Sequence, residues 1–117
     1  MSARERPGPA AEALAARHLA EHGLTIVARN WRSRHGEIDI IARDGATLVF
    51  VEVRLRSNAR YGGAAASITA EKQQRLITAA EQYLATLRNM PPCRFDAVLL
   101  DGLDARRIEW LRNVISA

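Results

Sequence analysis

The stretch that most constrains this chain runs from Gly36 to Arg54 and reads GEIDIIARDGATLVFVEVR. Two alternating, β-branched-rich runs flank Asp44-Gly45, a dipeptide disposed to a two-residue hairpin turn. With Asp44-Gly45 as the whole loop, Arg43 pairs with Ala46, Asp39 with Phe50 and Glu37 with Glu52. Alternation then sends Glu37, Asp39, Phe50, Glu52 and Arg54 to one face of the hairpin. Like charges directly opposite one another destabilise a strand pair. The simplest compensation for three clustered carboxylates is a bound cation. A bulge would instead turn Glu37 or Asp39 to the other face.

The flanking chain supplies helices and further strands. A helix is expected from about Ala10 to His22, stopped by Gly23. Leu14, Ala15 and Leu19 form its apolar side, and Glu12 edges that side, where it either complements the helix dipole or joins the carboxylates. Thr25–Trp31 reads as a first strand, followed by a basic loop, Arg32-Ser33-Arg34-His35. After Arg54 comes an irregular stretch, Leu55–Ser67, whose Gly62-Gly63 is too weak a signal for a phosphate cradle. Thr69 caps a second helix expected to reach Leu87, with Leu76, Ile77, Ala80, Leu84 and Leu87 as its packed stripe. Lys72 stands one turn before Leu76 on the same side. It either reaches the carboxylates or snorkels to solvent. Arg94–Leu100 is the fourth strand and Arg107–Leu111 a fifth. A right-handed crossover makes the third and fourth strands parallel. Asp96 is expected to be exposed or salt-bridged rather than a ligand.

The 117 residues make one domain, 1–117, large enough for a single core, with residues 1–9 expected to be loosely attached. The net charge of +4 and a sequence pI near 10.2 favour a polyanionic partner. The single cysteine, Cys93, excludes an internal disulfide framework and fits a reducing cytoplasm. Neither a signal-peptide core nor a run long enough to span a membrane is present, so the expectation is a soluble cytoplasmic protein without membrane contact. Of the 17 Lys and Arg residues only Lys72 is a lysine, a bias that weakens inference from any individual arginine. Arg32, Arg34, Arg56 and Arg60, with Arg29 and Trp31 nearby, are the candidate nucleic-acid contacts. For Trp31 itself, packing in the core is the favoured role. No Cys/His grouping suits zinc, and His18, His22 and His35 have no catalytic motif around them.

The D…ExR pattern of Asp39, Glu52 and Arg54 resembles the metal-binding core of the PD-(D/E)xK nuclease superfamily. At closer range GEIDII, LVFVEVR, YGGAAASIT, EKQQRL and CRFDAV resemble the YraN family of small bacterial proteins, over nearly the whole chain from Glu12 onward. The resemblance implies a restriction-endonuclease-like αβββαβ core, an α/β fold with a mixed sheet flanked by helices. It implies a metal-dependent endonuclease acting on DNA, more than RNA, and on branched, Holliday-junction-like structures. Asp39 and Glu52, supplemented by Glu12 or Glu37, would then hold Mg²⁺ or Mn²⁺. Asp39, Glu52, Arg54 and Lys72 would form the catalytic set, and two copies would pair to cut both strands. Where the superfamily carries Lys, this chain has Arg54, which cannot accept a proton from water. Either Arg54 acts electrostatically with Lys72 supplying an ammonium group, or the fold survives as a non-catalytic nucleic-acid-binding module.

Overall fold

The structure, a computed structural model, describes residues 8–56, 69–104 and 106–115. Helix α1, Pro9–Glu21, opens with proline in its first turn, where a missing N–H costs nothing. It closes on Gly23 at φ +96°. The Gly23 N–H donates to the Ala20 carbonyl and the Leu24 N–H to the Leu19 carbonyl, both at 3.1 Å, a paired closure that only a left-handed residue permits cheaply. Pro9 therefore belongs to the helix rather than to a loose terminus. Gly8 caps the helix, its carbonyl accepting the Glu12 N–H at 3.2 Å, and residues 1–7 lie outside those described.

Strands β1 (Thr25–Ser33), β2 (Gly36–Asp44) and β3 (Thr47–Arg56) form an antiparallel meander. Helix α2, Ala70–Leu84, then carries the chain to β4, Cys93–Asp101, which lies parallel to β3. Strand β5, Ile108–Leu111, closes the sheet, whose order is β1-β2-β3-β4-β5. Ala11, Ala15, Ala16 and Leu19 of α1 pack on one face, over Ile40, Ala42, Val49, Val51, Val53, Val98 and Leu100. Leu76, Ala79 and Ala80 of α2 pack on the other, over Ile38, Ile41, Leu48, Phe50 and Phe95. The sheet is thus covered on both faces, which explains why β3 is apolar almost without interruption up to Glu52. The mixed sheet between two helices is the expected α/β, restriction-endonuclease-like core.

The hairpin register differs from the sequence expectation. Asp44 is still in β2, opposite Thr47, and Gly45-Ala46 is the loop. Gly45 takes φ +62°, the conformation that glycine supplies at the first position of a II′ turn. Asp44 stays in the strand because its carboxylate meets Arg94 at 3.0 Å. Ile41, not Asp39, consequently lies opposite Phe50, and Glu37 faces Arg32 of β1 rather than Glu52. Alternation also breaks at Asp39. Ile38 and Ile41 are three residues apart yet join the same core cluster, while Ile40 packs on the opposite face. Across from this break, Asn30 sits at φ +54° between Arg29 and Trp31, which pair with Ile40 and Ile38.

Smaller differences have local causes. The basic loop shrinks to Arg34-His35, because β1 continues through Arg32 and Ser33. The Ser33 hydroxyl closes that turn, donating to the Gly36 carbonyl at 3.1 Å. Helix α2 ends at Leu84, three residues early, although Leu87 still packs on the core. Its start is as read: Thr69 Oγ1 accepts the Lys72 N–H at 3.2 Å. Among the described residues no helix is long and apolar enough to cross a membrane.

Candidate functional site

Asp39 is the centre of the site. The residue is only 5 % exposed, and its Oδ2 accepts the backbone N–H of Val53 at 2.8 Å. The β2–β3 ladder pairs Ile40 with Val51, and at the next step the Asp39 side chain takes an amide of β3. Burial first, then the nearby Glu52 carboxylate, push Asp39 up to about 8. The Val53 N–H opposes this, while Glu12 and Glu37 add to it. Three further carboxylates, Glu12 of α1, Glu37 of β2 and Glu52 of β3, therefore act on Asp39. Glu12 is 3 % exposed, too buried to serve merely as a solvated complement to the helix dipole.

Glu52 lies on β3, one residue before Val53. Burial raises its pKa, the cations Arg54 and Lys72 oppose that rise, and Glu37 reinforces it. Arg54 Nη1 donates to Glu52 Oε2 at 3.3 Å, with both side chains largely covered. Lys72, half-buried in the first turn of α2, acts electrostatically on Glu52. The four residues that the resemblance groups together are thus electrostatically linked: Glu52 acts on Asp39, and Arg54 and Lys72 act on Glu52.

The basic candidates divide. Arg29, Arg32 and Arg34 are exposed on β1 and its turn. Arg56 ends β3, but its side chain, like all of Arg60 and the Tyr61-Gly62-Gly63 segment, lies outside the described residues. Trp31 packs edge-on against Tyr83 at 5.5 Å, the core role expected of it, and His35 is an exposed turn residue. Arg75 went unnoticed in the sequence. Its backbone carbonyl lies 2.9 Å from where a Cβ on Gly36 would stand, so α2 presses directly on the β1–β2 turn. The signal was the glycine at position 36, readable only once the helix is known to cross it.

Asp96 is neither exposed nor part of this site. It is fully buried beneath β5, salt-bridged to Arg94 Nε at 3.1 Å. It also accepts Trp110 Nε1 at 3.0 Å and the Asn113 N–H at 2.9 Å. Its role is to tie the C-terminal segment to β4.

Among the described residues, no group of three or more His, Cys, Asp or Glu side chains is assembled closely enough to hold a metal ion outright. The donor chemistry nonetheless fits a hard divalent cation. Mg²⁺ commonly takes only one or two carboxylates and keeps several waters. A cation beside Asp39 and Glu52 would also offset the burial, and the repulsion from neighbouring carboxylates, that raise their pKa values.

The family model described as uncharacterised protein family UPF0102 matches residues 11–100 of this chain. A UPF0102 protein of Methylobacillus flagellatus is 56 % identical over 110 residues, covering 94 % of this chain and 96 % of that protein. One from Nitrosospira multiformis is 57 % identical over 106 residues, covering 91 % and 89 % respectively. One from Nitrosomonas europaea is 54 % identical over 113 residues, covering 97 % and 96 %.

Proposed function

The chain belongs to the uncharacterised protein family UPF0102, and from its carboxylate centre we propose that it is a metal-dependent endonuclease acting on DNA. The observation that carries this reading is Asp39: a buried carboxylate, held by the Val53 N–H and raised to about 8 in the company of Glu52, Glu12 and Glu37. Such a cluster costs a fold stability, and sites of this kind are where function resides more often than elsewhere. Asp39 and Glu52 would hold Mg²⁺ or Mn²⁺, with Glu12 or Glu37 as the supplementary donor. When bound, the ion would polarise the scissile phosphodiester and lower the pKa of a water. Lys72 and Arg54 would hold the phosphate and offset charge developing on it. Arg54 stays protonated and takes no proton. The family resemblance, which implies Holliday-junction-like structures, directs the substrate choice to branched DNA, cut symmetrically by two copies.

One observation favours a second reading. Arg54 already neutralises Glu52 at 3.3 Å, as a guanidinium in a retired active site would. The fold would then bind nucleic acid without cutting it. Cleavage of a labelled four-way junction, a flap and a plain duplex, each with Mg²⁺, Mn²⁺ or EDTA, separates the two. Cutting that needs the metal and vanishes in Asp39→Ala/Glu52→Ala supports the enzyme. Salt-sensitive binding without cutting, retained in that variant, supports the binding module.

A further inference from the structure

Glu12 lies in the first turn of α1; the opposite end of the helix carries a different set of side chains. His18 and the C-cap residue His22 stand one turn apart, with ring centroids 4.3 Å apart and planes tilted by 33°. Both meet the Trp110 ring edge-on, at 6.5 and 6.0 Å. His22 Nδ1 lies 2.7 Å from the His18 carbonyl oxygen. A carbonyl only accepts, so Nδ1 carries the proton and the neutral ring keeps its lone pair on Nε2. Metal-binding histidines almost always donate their other ring N–H in this way. His22 is exposed and His18 half-buried, so both rings are reachable from solvent.

We propose that His18 and His22 form a two-imidazole site for a divalent transition-metal ion of borderline softness, namely Cu²⁺, Ni²⁺ or Zn²⁺. Imidazole suits these ions, whereas Mg²⁺ and Mn²⁺ prefer carboxylate and water oxygens. The helical spacing of four residues puts the two rings on one face, and water completes the coordination. Burial first, and then the neighbouring His22, lower the pKa of His18, with Glu21 opposing; the neutral, ligating form is thereby favoured. Arg112, 4.2 Å from the Trp110 ring centroid, brings positive charge to this end of the molecule and Glu21 negative charge, so the imidazole nitrogens are the donors on which the site depends. This site is separate from the carboxylate centre in both place and donor chemistry.

Trp110 supplies a built-in reporter, because its Nε1 is anchored to Asp96 Oδ2 and the ring is fixed beside both imidazoles. The test is a CuCl₂ titration of tag-free full-length chain carrying Trp31→Phe, so that Trp110 alone fluoresces. Saturable quenching, reversed by EDTA and competed by Zn²⁺ or Ni²⁺ but not by Mg²⁺, is the expected result. Losing even the hydrogen-bonding partner of a metal-bound histidine costs roughly 10–100-fold in affinity. His22→Ala should therefore weaken half-saturation by at least about tenfold, and His18→Ala likewise. Asp39→Asn/Glu52→Gln should leave the curve unchanged. As a second measurement on the unsubstituted chain, Zn²⁺ should shift the Nε2 resonance of His22 in imidazole nitrogen NMR. Identical titration of His22→Ala and its parent, or quenching that disappears only with the carboxylate changes, overturns the proposal. So does an unmoved His22 resonance at saturating Zn²⁺.

Discussion

The carboxylate of Asp39 replaces a strand: at the point where β2 leaves β3, its Oδ2 takes the Val53 N–H at 2.8 Å. One side chain thereby satisfies a buried backbone donor and stands beside Glu52, the residue before Val53. Asp39→Asn keeps an acceptor for that N–H and removes the cost of ionising a buried carboxyl, so it is expected to unfold at an equal or higher urea midpoint and, on the proposed nuclease reading, to abolish cleavage. Asp39→Ala orphans the donor and should cost about 1–3 kcal/mol. A midpoint that falls equally in both variants would count against this account.

The pH dependence of stability follows from the same residue. Asp39 is raised from an ordinary 3.8 to about 8 in the folded chain. Between those values the folded state holds a proton that the unfolded state has released. Stability from this group is therefore present at low pH and falls as pH rises from about 4 through about 8. Urea midpoints of metal-free protein should decline over that window, and Asp39→Asn should flatten the decline. Mg²⁺ added near pH 7 should release protons, measurable in weakly buffered solution.

Gly36 has no room for a side chain, since a Cβ there would sit 2.9 Å from the Arg75 carbonyl oxygen. Gly36→Ala must push α2 off the β1–β2 turn. The expected loss is about 1–3 kcal/mol, the usual scale for overpacking. Because α2 also carries Lys72, the proposed nuclease activity should fall further than stability alone explains, as measured by cleavage under conditions where the variant remains folded.

Asp96→Ala removes the acceptor shared by Arg94, Trp110 and Asn113. Breaking a buried ion pair from one side costs about 3–5 kcal/mol. Arg94 retains Asp44, so the lower end of that range is expected. Trp110 fluorescence should change with the loss, as its indole N–H is released. An unchanged unfolding midpoint would remove Asp96 from the account of how the C-terminal segment is held.

Arg32 and Arg34 are exposed on β1 and its turn, on the element that pairs with β2. If they contact phosphate, each change to alanine should weaken DNA binding without altering which DNA is preferred. Each should also reduce the slope of log affinity against log salt by about 1. Slopes unchanged in both variants would move the interface elsewhere on the molecule.

Much of this fold is written locally. Gly23 ends α1 because only a left-handed residue closes that helix cheaply, and Thr69 starts α2 through its own hydroxyl. The strand–helix–strand order from β3 to β4 dictates the parallel pairing, for chain-connectivity reasons that need no coordinates. Alternation along the hairpin brought Glu37, Asp39 and Glu52 together, and the nuclease-superfamily resemblance singled out Asp39 and Glu52 and implied Glu12. The hairpin register could not be read in this way. Asp44-Gly45 and Gly45-Ala46 are both acceptable two-residue turns, and the choice falls to Arg94, which holds Asp44 in the strand from β4. The break in alternation at Asp39, the burial of Glu12 and Asp96, and the press of Arg75 on Gly36 likewise join residues distant in the chain. Local preferences fix which elements form, because they act within a turn or a helix end. Which carboxylate meets which amide is settled by packing between elements, where a one-residue shift reverses the exposure of every side chain on a strand.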